Sequence, residues 1–261
     1  MFRDRRLLLI YAIIFTDVVV GSAIGPILPD FVRGLSYPQL WLSLGTGLFL
    51  GVQLFAAPLL GKLSDGYGRR PVFIASAVGT FLADCLLLPV RAGFYFANRL
   101  SDGLTNGMYA AVRSAITDLS PRDELFKNLG IEGAIVSLGF VIGPAVSGLL
   151  LTTLDVPAGE EARYVVVMAV LLSALNVGLS LLLRETHVQR TGVTSGQLRA
   201  ELRNALNVGG LLRRLREKNR RHPGLKQLVA MQLFLTLSTG YYFYFVPFAS
   251  LSALQMSARE I

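Results

Sequence analysis

Charged residues stand inside apolar stretches of this sequence, among them Asp17, Asp84, Arg99 and Asp102. A charge near the centre of a membrane helix costs about 2.5 to 3.5 kcal/mol on insertion scales, so each needs a reason to be there. An acid in such a place can hold a proton or a cationic ligand in turn, and an arginine beside it can respond to the acid's charge. Asp17 is read as a proton or cation acceptor, set against a role in capping or packing a proline-containing helix. Asp84 divides evenly between function and structure. Asp102 follows Arg99 by three residues, one helical turn, and is expected to pair with it. Asn98, Arg99 and Asp102 are also able to form a self-satisfied structural network.

The surroundings define the solvent. Hydrophobic residues make up 52% of the 261, and charged ones 16%, against about 25% in ordinary soluble domains. Seven apolar stretches reach the length of about 20 residues that a bilayer core demands: roughly 7 to 29, 40 to 60, 71 to 90, 93 to 117, 130 to 152, 164 to 183 and 227 to 254. The first contains Asp17 and Pro26 and lacks a small-residue cleavage site, so it reads as a retained span. A single cysteine, Cys85, rules out an intramolecular disulfide. The two histidines, His187 and His222, offer neither a metal cluster nor a catalytic dyad. No phosphate loop of the G-x-x-x-x-G-K-[ST] type is present, which argues against a primary pump. No convergent nucleophile or metal set supports an enzyme.

Charge sets the expected orientation. With the N-terminus inside, the inner segments carry 19 Lys and Arg and the outer ones 4, the asymmetry of a cytoplasmic N-terminus. Eleven of those cations lie between Arg184 and Lys226. The formal charge of +8 is therefore read as attraction to anionic lipid, and nucleic acid is excluded as a partner. Within this segment Leu198, Leu202, Ala205, Leu206, Leu212 and Leu215 fall near one helical face. It is either an amphipathic helix on the inner leaflet, weakened at Gly209-Gly210, or a partly disordered tether.

The stretch GKLSDGYGRRPV, residues 61 to 72, lies between the second and third spans. Gly61, Gly66 and Gly68 allow a tight turn, Pro71 suits a first helical turn, and Asp65 can cap a helix or pair with Arg69. It resembles the signature loop of the major facilitator superfamily, G-x-L-x-D-x-x-G-R-[RK]-P. Asp17, Gly21, Pro26 and Pro29 resemble the span-one pattern D-x-x-x-G-x-x-x-x-P-x-x-P of twelve-span drug:proton antiporters, including tetracycline-efflux proteins. Arg99-x-x-x-Gly103 resembles the intramembrane arginine motif associated with proton coupling. Gly139, Gly143, Pro144 and Gly148 resemble the antiporter motif G-x-x-x-G-P-x-x-G-G, whose physical content is close helix packing with a hinge. Three departures stand out: Ser147 replaces the motif's penultimate glycine, Asp102 stands where Gln is frequent, and Leu125 stands where an Arg is expected.

The resemblance implies an all-α integral membrane fold. It comprises a six-helix bundle over 1 to 183, a basic cytoplasmic linker over 184 to 226, and a seventh span over 227 to 261 that opens a second bundle. It implies secondary transport by alternating access, with proton-coupled efflux of a small drug-like or amphipathic compound favoured over symport or uniport. The coupling ion is a proton, with no other cofactor, and the expected location is the plasma or inner membrane. Asp65, Arg69 and Arg70 would form a cytoplasmic charge network. Asp17, Arg99, Asp84 and Asp102 would couple protons, with Gln53, Gln232, Tyr241 and Tyr244 lining a substrate cavity; the tyrosines also fit an aromatic belt at the outer interface. The rival reading is a truncated, non-transporting protein or a half-module that needs a partner or self-association. Ser257-x-x-Glu260 has the form of a capping box for a further helix.

Overall fold

The computed structural model describes residues 4–106, 108–157, 159–187 and 192–240, with a few side chains inside the helices left aside. Tyr241, Tyr244 and the Ser257 capping box lie outside the described residues. Everything regular that is described is helical. Five helical stretches are long and apolar enough to cross a membrane: Arg5–Val32, Pro38–Tyr67, Arg69–Leu87, Leu125–Thr153 and Glu161–Leu182.

Span one starts where the Asp4 carboxylate accepts the N–H of Arg6 at 2.9 Å; that ion pair and hydrogen bond hold the Asp4 carboxyl below its ordinary range. Helix α1 (Arg5–Ala23) gives way to a 3-10 turn at Gly25–Ile27, and α2 (Leu28–Val32) completes the span. Pro26 and Pro29 explain the change, since neither supplies the N–H that an α-helix needs there. Span two is α3 (Pro38–Tyr67) and span three is α4 (Arg69–Leu87), joined by Gly68 alone at φ +108. The stretch read as a loop is therefore almost wholly helical. GKLSDGY ends α3 and RRPV begins α4, so the turn costs one residue, which must be glycine.

Span four differs from the single helix expected over 93 to 117. It is split into α5 (Ala92–Thr105) and α6 (Met108–Leu119). Helix α5 ends at Asn106, which the sequence follows with glycine, a dipeptide that marks turns. Asn106 closes α5 through its N–H to the Asp102 carbonyl at 2.7 Å. The freed Asn106 carbonyl accepts the Nε2 of Gln53 from α3 at 2.9 Å. A polar side chain on a neighbouring span thus satisfies a backbone group for which the bilayer offers no water.

Helix α7 (Leu125–Thr153) runs through Pro144 without interruption, and α8 (Glu161–Leu182) follows. In the linker, α9 (Ser195–Leu206) opens on a complete capping box between Thr194 and Gln197. The chain breaks at Asn207, before the two glycines, because the Asn207 side chain caps α10 (Val208–Arg221) through the Gly210 N–H at 2.8 Å. Helix α11 (Leu225–Gly240) begins the seventh span.

The bundle is organised around α1, which packs on α7 and α8, while α4 lies between α5 and α8 and α3 covers α5 and α6. One apolar cluster joins Ile10, Ile13 and Ile14 to Phe73, Met108 and Ile116, and a second joins Ile27 and Phe31 to Leu87, Tyr95 and Val165. Close fit, not expulsion from water, holds helices together in lipid, and the α1–α7 seam is built for it. A Cβ on Gly139 would overlap Val18, and one on Gly143 would overlap Ser22 and the Val19 carbonyl. Ser147 continues this face. Its hydroxyl donates to the Ala23 carbonyl at 2.9 Å, where α1 stops. Gly148, one residue further round, is half-buried.

Candidate functional site: a buried acid cluster and a charged helix junction

The intramembrane charges of three spans converge inside the bundle. Asp17 of α1 and Asp84 of α4 are 7% and 3% exposed, whereas Arg99 and Asp102 of α5 are half-buried. Asp17 is within electrostatic reach of Asp102, and Asp84 is within reach of Asp17, Asp102 and Arg99. Asp17 Oδ1 accepts the Nδ2 of Asn176 from α8 at 3.4 Å. Asp84 lies beside Ser173, also on α8, and Asp102 beside Thr80 and Asn106. Even so, Asp84 Oδ2 and Asp102 Oδ1 are buried with no hydrogen-bond partner among the described residues.

The expected pairing of Arg99 with Asp102 does not form. Arg99 instead forks the amide oxygen of Asn98 with Nε at 2.8 Å and Nη2 at 2.6 Å. Its guanidinium lies over the rings of Phe49 and Tyr95, 5.4 and 5.8 Å from their centroids. Asn98, fully buried, is fixed by donating to the Ala83 carbonyl at 2.8 Å. Stacking and amide contact thus hold the cation near the acids but in no ion pair with them. Gly103 brings α5 against α3, since a Cβ there would meet the Phe49 carbonyl and Val52.

Ser173 and Asn176 were not singled out from sequence, although the signal exists. Ser173, Asn176 and Ser180 interrupt the apolar run of α8 at spacings of three and four, and all are buried. Glu132 of α7, 3% exposed, was also missed; its Oε1 lies 3.6 Å from Nε of the exposed Arg113 on α6. Gln232 is placed on α11.

The second charged centre surrounds the α3–α4 junction. Arg69, 5% exposed, binds Asp65, the Ser64 hydroxyl at 3.1 Å and Asp118 Oδ2 at 3.0 Å. His187 Nδ1 approaches the same Asp118 oxygen at 3.4 Å. The Arg expected at position 125 is absent and Leu125 simply starts α7, yet the network closes without it. Glu185, beyond the end of α8, accepts the backbone N–H groups of Arg69, Thr186 and His187 at 2.8, 3.0 and 3.0 Å. A carboxylate so placed meets the first free N–H and the positive dipole end of α4. A Cβ on Gly68 would overlap it. Arg70 donates to the Leu181 carbonyl at 3.2 Å, Pro71 fills the first turn of α4, a Cβ on Gly61 would make only ordinary contact with Ala110, and one on Gly66 would overlap Val193 of the linker.

The sequence profile of the Major Facilitator Superfamily matches residues 7–259. The chain is 30% identical over 152 residues to the class H tetracycline resistance protein of Pasteurella multocida, covering 56% of this chain and 38% of that protein. It is 26% identical over 152 residues to the quinolone resistance protein NorA of Staphylococcus aureus strain N315, again covering 56% and 38%. The crystal structure of the human organic anion transporter MFSD10 (TETRAN) superposes with a TM-score of 0.70 at 19% identity, covering 99% of this chain and 68% of that one. The matched region thus amounts to well under half the length of these two resistance proteins. With its signature junction, split fourth span and apolar membrane-length helices in one bundle, the chain belongs to the Major Facilitator Superfamily, a family of multi-pass membrane transporters.

Proposed function

We propose that residues 1 to 183 form the N-terminal half of a proton-coupled exporter of a small drug-like or amphipathic compound. In this reading residues 184 to 226 are a cytoplasmic linker, 227 to 261 begin the second half, and the N-terminus is cytoplasmic. The observation that carries it is the cluster of Asp17, Asp84 and Asp102 around an arginine that forms no ion pair among the described residues. Such a cluster changes its net charge by one whenever an acid gains or loses a proton. Arg99, held by an amide and two rings, is positioned to feel that change without quenching it. Asp17 then holds either a proton or a cationic substrate, and exclusion of one by the other couples inward proton flow to outward transport. The Asp65–Arg69–Asp118 junction latches the cytoplasmic ends of spans two, three and four in the outward-facing state and parts on inward opening. Alternating access follows from rocking of one half against the other around a midplane site.

The test is proton-driven efflux of a cationic dye from cells, comparing the 261-residue chain, its Asp17→Asn variant and the same pair joined to the rest of any longer reading frame. Efflux that collapses on removal of the proton gradient and is lost in Asp17→Asn supports the reading. Gradient-driven efflux that survives Asp17→Asn sinks Asp17 as the coupling acid. A second reading is a half-module that works with a partner or a second copy. Asp17-dependent efflux by the 261 residues alone, together with a dimer mass in detergent, selects it.

A further inference from the structure

Away from the acid cluster, the first turns of α4 and the end of α8 line a cleft beside the signature junction. Its walls are apolar: Ile74 and Val78 rise along α4, and Leu182 faces them from the end of α8. Val78 is 37% exposed and Leu182 70%. Both helices are of membrane length, so these walls face hydrocarbon. At the mouth stand two exposed cations, Arg70 in the first turn of α4 and Arg184 just past α8.

Neither cation belongs to an ion pair among the described residues. One Nη2 hydrogen bond to the Leu181 carbonyl holds the Arg70 guanidinium beside the cleft and leaves its remaining N–H groups for another acceptor. The single acid in the lining, Glu185, accepts the backbone N–H of Arg69 at the start of α4 and those of Thr186 and His187 beyond α8. The result is a pair of guanidiniums at the end of a greasy groove, at the depth where a span leaves the bilayer.

We propose that this cleft binds one anionic phospholipid of the surrounding leaflet, with its phosphate between Arg70 and Arg184 and an acyl chain along Ile74, Val78 and Leu182. The charge of the mouth selects an anionic headgroup, and guanidinium forks suit phosphate oxygens. The apolar walls select a lipid over a soluble phosphate, which has no use for them. Because Arg70 also ties α4 to the end of α8, the bound lipid stabilises this seam next to the signature junction. The inference rests on the membrane setting alone and stands whether or not the chain exports anything.

Native mass spectrometry of the purified 261-residue chain, titrated with phosphatidylglycerol and phosphatidylcholine, tests it. The expected result is preferential retention of one phosphatidylglycerol. Retention weakens about 30-fold in Arg70→Gln/Arg184→Gln, from two cations near an anionic surface, and is largely kept in Arg70→Lys/Arg184→Lys. Leu182→Trp, which fills the groove and leaves the charges alone, also loses the lipid and guards against misfolding of the arginine variant. Arg213→Gln/Arg214→Gln in α10 leaves retention unchanged. Equal binding of phosphatidylcholine, an equal loss in the α10 variant, or displacement by equimolar glycerol phosphate would each overturn the proposal.

Discussion

Glu185 accepts the backbone N–H of Arg69 at 2.8 Å across 116 residues of sequence, so the end of span six closes the start of span three. The same carboxylate occupies the space a side chain at Gly68 would need. Two residues thus share one small volume, and the turn between spans two and three is tuned to both. Glu185→Ala should lower stability by about 1 to 3 kcal/mol, the cost of stranding donors at a buried helix start. Gly68→Ala should cost at least about 1 kcal/mol from its positive φ alone. Thermal unfolding in detergent of both single variants and the double should show a double mutant less damaged than the sum, because removing Glu185 clears the clash. Strict additivity would mean that the two do not share the volume.

Arg69 is the buried hub of the same junction. Arg69→Ala leaves the partly exposed Asp118 facing His187 without its main cation and should cost about 1 to 3 kcal/mol, the range for stranding a polar partner. Arg69→Lys cannot serve Ser64, Asp65 and Asp118 at once, and should recover less than half of that loss in the same unfolding assay.

The seam between α1 and α7 predicts a graded series. Gly143→Leu drives a side chain into Ser22 and the α1 backbone and should prevent recovery of a monodisperse protein by gel filtration. Ser147→Ala removes one buried donor to Ala23 and should cost about 1 kcal/mol.

At the acid cluster, Asn98→Ala releases both Arg99 and the Ala83 carbonyl. Freed from its amide fork, the guanidinium should swing to Asp102. The double-mutant coupling between Asn98→Ala and Asp102→Asn in stability should then be about 0.5 to 3 kcal/mol, the range for contacting residues. A coupling near zero would show that Arg99 stays on its aromatic rings.

Much of this architecture is legible in the sequence, and the reasons are specific. Hydropathy finds the spans because a bilayer forces about 20 apolar residues into each. Gly139 and Gly143 announce a close seam because only small residues tolerate one. Hydropathy does not show the break at Asn106, because the apolar content continues on both sides and only the Asn-Gly pair punctuates it. Nor does it show that GKLSDGY stays helical: glycines and charges read as loop, while Gly66 leaves room for Val193 of the linker. Glu185 and the fork from Arg99 to Asn98 depend on which helices lie side by side, and spacing along one helix favoured Asp102 instead. The face formed by Ser173, Asn176 and Ser180 was readable, as polar residues at helical spacing in an apolar span.

The hydroxyls of Ser22 and Ser147 run in opposite senses across one seam: Ser22 of α1 reaches the Gly139 carbonyl of α7 at 3.1 Å, and Ser147 of α7 reaches the Ala23 carbonyl of α1 at 2.9 Å. A screw or sliding displacement of one helix along the other breaks both together and lifts Val18 and Val19 out of the hollows left by the glycines. Spans one and five therefore share a single mechanical degree of freedom, and whatever motion the bundle makes must carry them as one lever.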